Sequence, residues 1–262
     1  MSHNHASKCI LREQCTYANT DKCSAQCGPY VANHGFSGKG GRAAAANLPS
    51  DYRLLTLKNA PSRDSIVRIG SDAMALGTFI GSYAETFTRQ FDDGAKRIKS
   101  LYLYSAEPGT GKTTTAAALL NEYLIVNYIG SLRRNRQASD RPAYFLDVNE
   151  WQTDFNAFNR PRVPEDVAAP AAARYYEKQI ISARVPFLVM DDVGVRDASE
   201  AFRADLHVII NARTTDGLPT IYTSNLPMAE LMRLYDARLA DRVRDMCVEI
   251  SFQGTSNRGM RK

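Results

Sequence analysis

Eight consecutive residues, Ala106-Glu107-Pro108-Gly109-Thr110-Gly111-Lys112-Thr113, combine two glycines, a lysine and a hydroxyl at a spacing suited to holding phosphate. Glycines at 109 and 111 let the main chain curl so that its N–H groups face an anion. The positive end of a helix that follows reinforces the same site. Lys112 can reach the β- and γ-phosphates, and the Thr113 hydroxyl can ligate Mg²⁺. Glu107, Pro108, Thr110 and Thr114 complete the loop around a nucleotide. Ala106 stands where glycine usually opens such a loop, a departure the later bends tolerate. A magnesium ion held in this way needs an acid at the end of a neighbouring apolar strand. Asp191 sits there, after Phe187-Leu188-Val189-Met190, and Asp192 beside it can orient an attacking water. The competing role for both aspartates is to cap the next helix. Two adjacent acids at a binding edge favour magnesium, and because Asp reaches less far than Glu, slow hydrolysis is expected.

The loop needs a strand before it and a helix after it. Leu101–Ser105 reads as the strand and Lys112–Ile129 as a strongly apolar helix. Ala143–Asp147 is a second strand, followed by a helix over Asn149–Asn159; Phe187–Met190 is a third strand and Pro219–Thr223 a fourth. Phe202, Leu206, Ile209 and Ile210 mark another amphipathic helix, and Leu76, Phe79, Ile80, Tyr83, Phe87 and Phe91 predict one helix over residues 72–92. Alternating strands and helices predict an α/β fold, a mostly parallel sheet covered on both faces. Ligands of such sheets bind beyond the carboxyl ends of the strands, where the two motifs fall.

Cysteine divides the chain. Cys9, Cys15, Cys23 and Cys27 lie near the start, and the fifth, Cys247, is remote. The polar opening Met-Ser-His-Asn-His lacks the apolar core of a secretory signal, so the chain is expected to stay in the cytoplasm with reduced thiols. Four thiolates can enclose a tetrahedral zinc ion and staple a segment too short for a core of its own. Cys23 and Cys27 have a ligand-pair spacing; the wider Cys9–Cys15 interval leaves His34, or His3 or His5, as a substitute ligand. Such a zinc would be structural. Residues 35–46, rich in glycine and small side chains, read as a flexible connector, giving a zinc-binding module and linker over 1–46 and a large domain over 47–262. The 262 residues are 44% hydrophobic and 23% charged, which excludes a disordered or fibrous chain, and no apolar run approaches a membrane span. A net charge of +5 permits a nucleic-acid partner without demanding one.

Further residues carry a family resemblance. Gly217-Leu-Pro-Thr-Ile-Tyr-Thr-Ser-Asn225-Leu-Pro227 ends a strand on Ser-Asn, and it is followed by Arg238-Leu-Ala-Asp-Arg242 and Gly254-Thr-Ser-Asn-Arg258. With the phosphate loop and the Asp191-Asp192 pair, this resembles an AAA+ P-loop ATPase, and more narrowly the DnaC/DnaI-type replicative helicase loaders, phage-encoded versions included. The resemblance runs from about residue 48 onward, and the cysteine-rich front fits loaders that carry an N-terminal zinc module. It implies a sensor-1 role for Asn225, orienting the lytic water, and an arginine finger at Arg242 that reaches a neighbouring subunit's nucleotide. Arg238, on the same helical face, is the alternative finger, and Arg258 matches a sensor-2-like arginine. Leu48–Tyr52 resembles the segment that packs near the adenine base. Structural alternatives remain: Asn225 as the cap of the helix after Pro227, and Arg242 paired with Asp236 or Asp245.

The resemblance also implies partners. They are a hexameric DnaB-type replicative helicase gripped by the N-terminal module, single-stranded DNA, and further copies of this chain through the finger. ATP, Mg²⁺ and Zn²⁺ are the implied cofactors, and hydrolysis would act as a release switch. Arg133, Arg134, Arg136 and Arg141 crowd one loop and suit either DNA phosphates or a solvated surface. Competing functions are an IstB-like transposition helper, a zinc-dependent adaptor with a structural nucleotide site, and a small-molecule kinase. The intact Gly111-Lys112-Thr113 and Asp191-Asp192 weigh against the adaptor.

Overall fold

The computed structural model describes residues 5–194, 198–233 and 237–254. A short helical turn at Ala6–Lys8 is followed by α1 (Gly28–His34) and α2 (Gly41–Ala45). Then come β1 (Ile66–Ile69), β2 (Asp72–Ala75), α3 (Leu76–Glu85), β3 (Ser100–Tyr104) and α4 (Lys112–Arg133). The chain continues through β4 (Ala143–Asp147), α5 (Val148–Asn159), α6 (Glu165–Arg184), β5 (Phe187–Asp191) and α7 (Glu200–Asp216). It closes with β6 (Thr220–Ser224), α8 (Met228–Arg233), α9 (Ala237–Met246) and β7 (Cys247–Phe252).

The strands form one sheet in the order β2-β1-β7-β3-β6-β5-β4. Pairing is parallel from β7 to β4 and antiparallel at β1. The α/β fold is therefore the expected one, and strand alternation explains its two cores. Leu101 and Leu103 of β3, with Phe187 and Val189 of β5, point to one face; Tyr102, Leu188 and Met190 point to the other. The first face is covered by α3 and α4, through Ile80, Ala116, Leu119, Leu120 and Tyr123. The second is covered by α5, α6 and α7, through Trp151, Phe155, Tyr175, Phe202, Leu206 and Ile209. Trp151 stacks on Tyr175 with centroids 4.8 Å apart, and its indole N–H donates to the Tyr175 carbonyl, so a large ring is buried with its polar atom satisfied.

Three expectations are corrected. Residues 72–92 are not one helix: 72–75 are a strand turning back on β1 through Gly70 (φ +61°), and only Leu76–Glu85 is α-helical before a 3₁₀ stretch over Thr86–Phe91. The helix after the phosphate loop runs four residues past Ile129, to Arg133. Residues 35–46 are not a loose connector, because 41–45 form α2, and Ala43 and Ala46 are buried. Gly41 (φ +64°) approaches α1 so closely that a Cβ there would lie 2.4 Å from the Asn33 carbonyl carbon. Arg42, also buried, donates to the carbonyls of Ala32, Ala138 and Ser139 and so ties the N-terminal segment to the loop after α4. Ile10 and Leu11 pack on Ile125 and Tyr128 of α4. At the sheet edge, the Phe145 N–H donates to the Ala46 carbonyl (2.8 Å) and the Asn47 amide donates to the Phe145 carbonyl (3.0 Å).

Candidate functional site

The carboxyl ends of β3, β6 and β5 lie side by side, and each delivers one part of the site. From β3 the chain enters the 105–111 loop, with Gly109 at φ +78° and Gly111 at φ +102°, conformations open to glycine at little cost. Lys112 opens α4 and is buried; its Nζ donates to the carbonyls of Ser105 (3.3 Å) and Glu107 (3.2 Å), which keeps the loop curled around it. The Glu107 N–H donates to Ser105 Oγ, Thr110 Oγ1 donates to the Glu107 carbonyl, and Thr114 Oγ1 donates to the Gly111 carbonyl. These bonds brace Pro108 and Gly109 from both sides.

Asp191 ends β5, buried, directly across from Asp147 of β4. Thr223 Oγ1 donates to Asp191 Oδ1 at 2.6 Å and accepts the Asp192 N–H at 2.9 Å, and the Thr113 hydroxyl donates to the same carboxyl. Burial pushes the Asp191 carboxyl up to about 7; the Asp192 and Asp147 charges push the same way, while the bonds from Thr223 and Thr113 pull it down. A dry carboxylate against the loop's threonine suits a hard cation with oxygen ligands, so Thr113 and Asp191 fit Mg²⁺. The capping alternative for the aspartates fails: the next helix, α7, is capped by Ser199, whose Oγ accepts the Phe202 N–H. Asp192, at φ +59°, accepts from the Asn149 amide at 3.4 Å.

Asn225 follows β6, between the ends of β3 and β5. The turn there is held by its neighbour, because Ser224 Oγ donates to the Val193 carbonyl and accepts the Leu226 N–H. Arg242 is elsewhere, exposed on α9, where it donates to Asn211 Oδ1 of α7 at 2.9 Å rather than pairing with Asp245. Arg238 is one turn earlier on α9. Arg258, His3 and Asp236 lie outside the described residues.

Ser62 and Thr223 were not foreseen. Ser62 Oγ lies 3.0 Å from Thr115 Oγ1, and a Cβ on Gly111 would meet the Ser62 Cβ at 2.4 Å. Residues 48–62 thus form a strap over the loop, pinned where the Asn121 amide donates to the Tyr52 and Leu55 carbonyls. Only the hydroxyls of Thr220-Ile-Tyr-Thr-Ser224 hinted at Thr223, and nothing signalled Ser62.

The cysteines differ from the expectation. Cys9, Cys15, Cys23 and Cys27 are free and half-buried, and among the described residues no three His, Cys, Asp or Glu side chains are arranged to hold a metal ion. Burial raises the Cys9 thiol, and charge on Cys23, Cys27 and Cys15 adds a smaller push the same way. His34 is not a spare ligand through Nε2, which accepts the Ile10 N–H at 3.0 Å; burial, with a contribution from Arg53, lowers its pKa to about 4. Part of the arginine loop is structural too: Arg141 Nε donates to the Ala45 carbonyl, and Arg134 lies 4.3 Å above the Phe91 ring.

No protein-family model matches the chain. It is 26% identical over 165 residues to the replicative helicase loader DnaC of Escherichia coli strain K12, a match spanning 62% of this chain and 56% of that protein. The crystal structure of DnaI superimposes with a TM-score of 0.53 at 23% identity, covering 80% of this chain and 94% of DnaI. A candidate primosome component from Streptococcus pyogenes serotype M3 gives 0.50 at 25% identity, covering 82% of this chain and 98% of that one. In sequence, then, the chain is similar to the replicative helicase loader DnaC, and in fold it is similar to DnaI and to this primosome component.

Proposed function

We propose that the chain is a Mg²⁺-dependent AAA+ ATPase that loads a replicative DNA helicase, of the hexameric DnaB type, onto single-stranded DNA. The observation that carries the nucleotide part is the meeting of the Thr113 and Thr223 hydroxyls on the buried Asp191 carboxyl. The similarity to DnaC supports the loader part. Magnesium bound by Thr113 and Asp191 would neutralise charge on the transferred phosphate. Lys112 exchanges its loop carbonyls for phosphate oxygens, with Gly109–Thr114 cradling the rest. Thr223 fixes Asp191 and the Asp192 backbone as a unit, and in this reading Asp192 orients water with help from Asn225, just beyond β6. Arg242, being exposed, is free to reach a nucleotide held by another copy in a head-to-tail assembly. Hydrolysis then serves as a release switch.

Residues 1–46 are read as the helicase-interaction module, its zinc held by Cys9, Cys15, Cys23 and Cys27, and 47–262 as the ATPase domain. Three experiments test this reading. Lys112→Ala should abolish ATP-dependent loading in a reconstituted reaction, and loading that proceeds unimpaired removes the nucleotide role. Pull-down from a bacterial lysate should recover a replicative helicase; recovery of a transposase instead makes the chain a transposition helper. Elemental analysis of protein purified without chelator should find about one zinc per chain, and a metal-free result discards the zinc module.

A further inference from the structure

We infer that the solvent face of α6 docks onto the same face of a second copy of this chain, with the two helices antiparallel. α6 buries Ala171, Tyr175, Lys178 and Ser182 against the domain. Two residues of helix turn through about 200°, so Ala169, Ala173, Tyr176 and Ile180 run down the opposite side. All four are exposed, Tyr176 by 52% and Ile180 by 58%. Their intervals of four, three and four residues keep them in one line about 16 Å long, the spacing of a helix–helix seam. Phe158 of α5 flanks Tyr176, with ring centroids 6.0 Å apart, and leaves it half exposed.

What covers this line follows from the order of residues along α6. About a midpoint between Arg174 and Tyr175, Ala169 mirrors Ile180, Ala173 mirrors Tyr176, and Glu165 mirrors Arg184. Laid antiparallel on itself, the helix therefore sets each small side chain of the seam level with a large one, which fills the space between the backbones. It also sets the acidic end, Glu165 and Asp166, against the partner's Arg184, and the two-fold axis repeats that match at the other end. All three charged residues are exposed, and nearer the middle Arg174 and Glu177 add one charge of each sign. A parallel pair would instead put Ile180 on Ile180, Ala169 on Ala169 and like charges together. One helix face is small beside the roughly 1,200–2,000 Å² of a stable complex, so the pairing is weak and reversible. This contact uses the same patch on both copies and stands apart from Arg242 on α9, so it does not depend on the loader reading.

Sedimentation equilibrium of the full chain, in chelator and without nucleotide, over about 1 to 100 μM should show monomer and dimer in exchange, and Arg242→Ala should leave that exchange unchanged. Ile180→Glu should abolish the dimer without moving the melting temperature, because the side chain faces solvent in the single copy. Arg184→Glu should weaken the dimer at least about fivefold, and so should the double change Glu165→Arg, Asp166→Arg. Mixed in equal amounts, those two charge variants should pair with each other at close to the parent's affinity, since acidic ends then meet basic ends. A chain that stays monomeric throughout, as it would if a different protein covers this face, overturns the proposal. So does a dimer that Ile180→Glu and both charge variants leave unchanged. Should Ile180→Glu lower the melting temperature, the charge variants and their mixture decide alone.

Discussion

Asp191→Asn separates the buried carboxylate's cost to the fold from its use. Asn keeps an oxygen for the Thr223 hydroxyl but carries no charge to desolvate. The Asp191 pKa is raised from 3.8 to about 7, so the folded state holds this proton over a range where the unfolded chain has released it. For an acid shifted upward, stability falls as pH rises from the unfolded to the folded pKa. A shift of about 3 units corresponds to ~4 kcal/mol, or roughly 8–16 °C in melting temperature for a chain of this size. Without magnesium, the Asn variant should therefore melt above the parent, by a gap that opens between pH 4 and 7 and is full above about pH 7. His34 gives the opposite slope, losing stability as pH falls from 6.5 towards about 4, but it is present in both proteins and cancels in the comparison. Thermal melts followed by circular dichroism, in chelator and then in Mg-ATP, read both halves. The parent should recover with Mg-ATP and the variant should not. A variant that melts below the parent at about pH 8, or a gap that does not grow with pH, refutes the assignment of a desolvated carboxylate at the metal position.

Other outcomes follow from the same geometry. Gly111→Ala drives a Cβ into Ser62 at a positive φ, so ATP affinity in a fluorescence titration should fall at least about tenfold, with ~1–3 kcal/mol lost in stability. A Ser62→Gly change added to it should restore part of both. Arg242→Ala removes only an exposed bond to Asn211, so melting should shift by less than ~0.5 kcal/mol. ATP binding should persist while assembly-dependent hydrolysis drops by a factor on the order of 10³; collapse of ATP binding would place the residue in its own subunit's site. His34→Leu leaves the Ile10 N–H unpaired and should cost ~1–3 kcal/mol in urea denaturation at about pH 7.

The glycine turn between β3 and α4 and the aspartates ending β5 were legible because each is local: glycine spacing, a preceding strand and a following helix all lie within one short stretch. The partners that tune them were not. Thr223 reaches Asp191 only because β6 inserts between β3 and β5, and Ser62 meets Gly111 across 49 residues of chain. Strands β1 and β2 were hidden because each has four residues and their period merges into that of α3. β7 (Cys-Val-Glu-Ile-Ser-Phe) alternates but puts Glu249 and Ser251 between its apolar residues, and α6 was missed although Glu165 and Asp166 mark its first turn. In the N-terminal segment glycine content suggested slack. In fact Gly41 serves close packing, and Arg42 is spent on carbonyls 96 and 97 positions away.

The two bonds joining Ala46 and Asn47 to Phe145 bear on how the chain can be cut. β4 is the last strand of the sheet, and those bonds occupy its otherwise open rim. A fragment begun just after residue 47 would present that rim bare, with the apolar Phe145 and Leu146 beside it, a ready template for stacking of one copy on another. Aggregation of such a truncation would report a lost selvedge rather than a lost function.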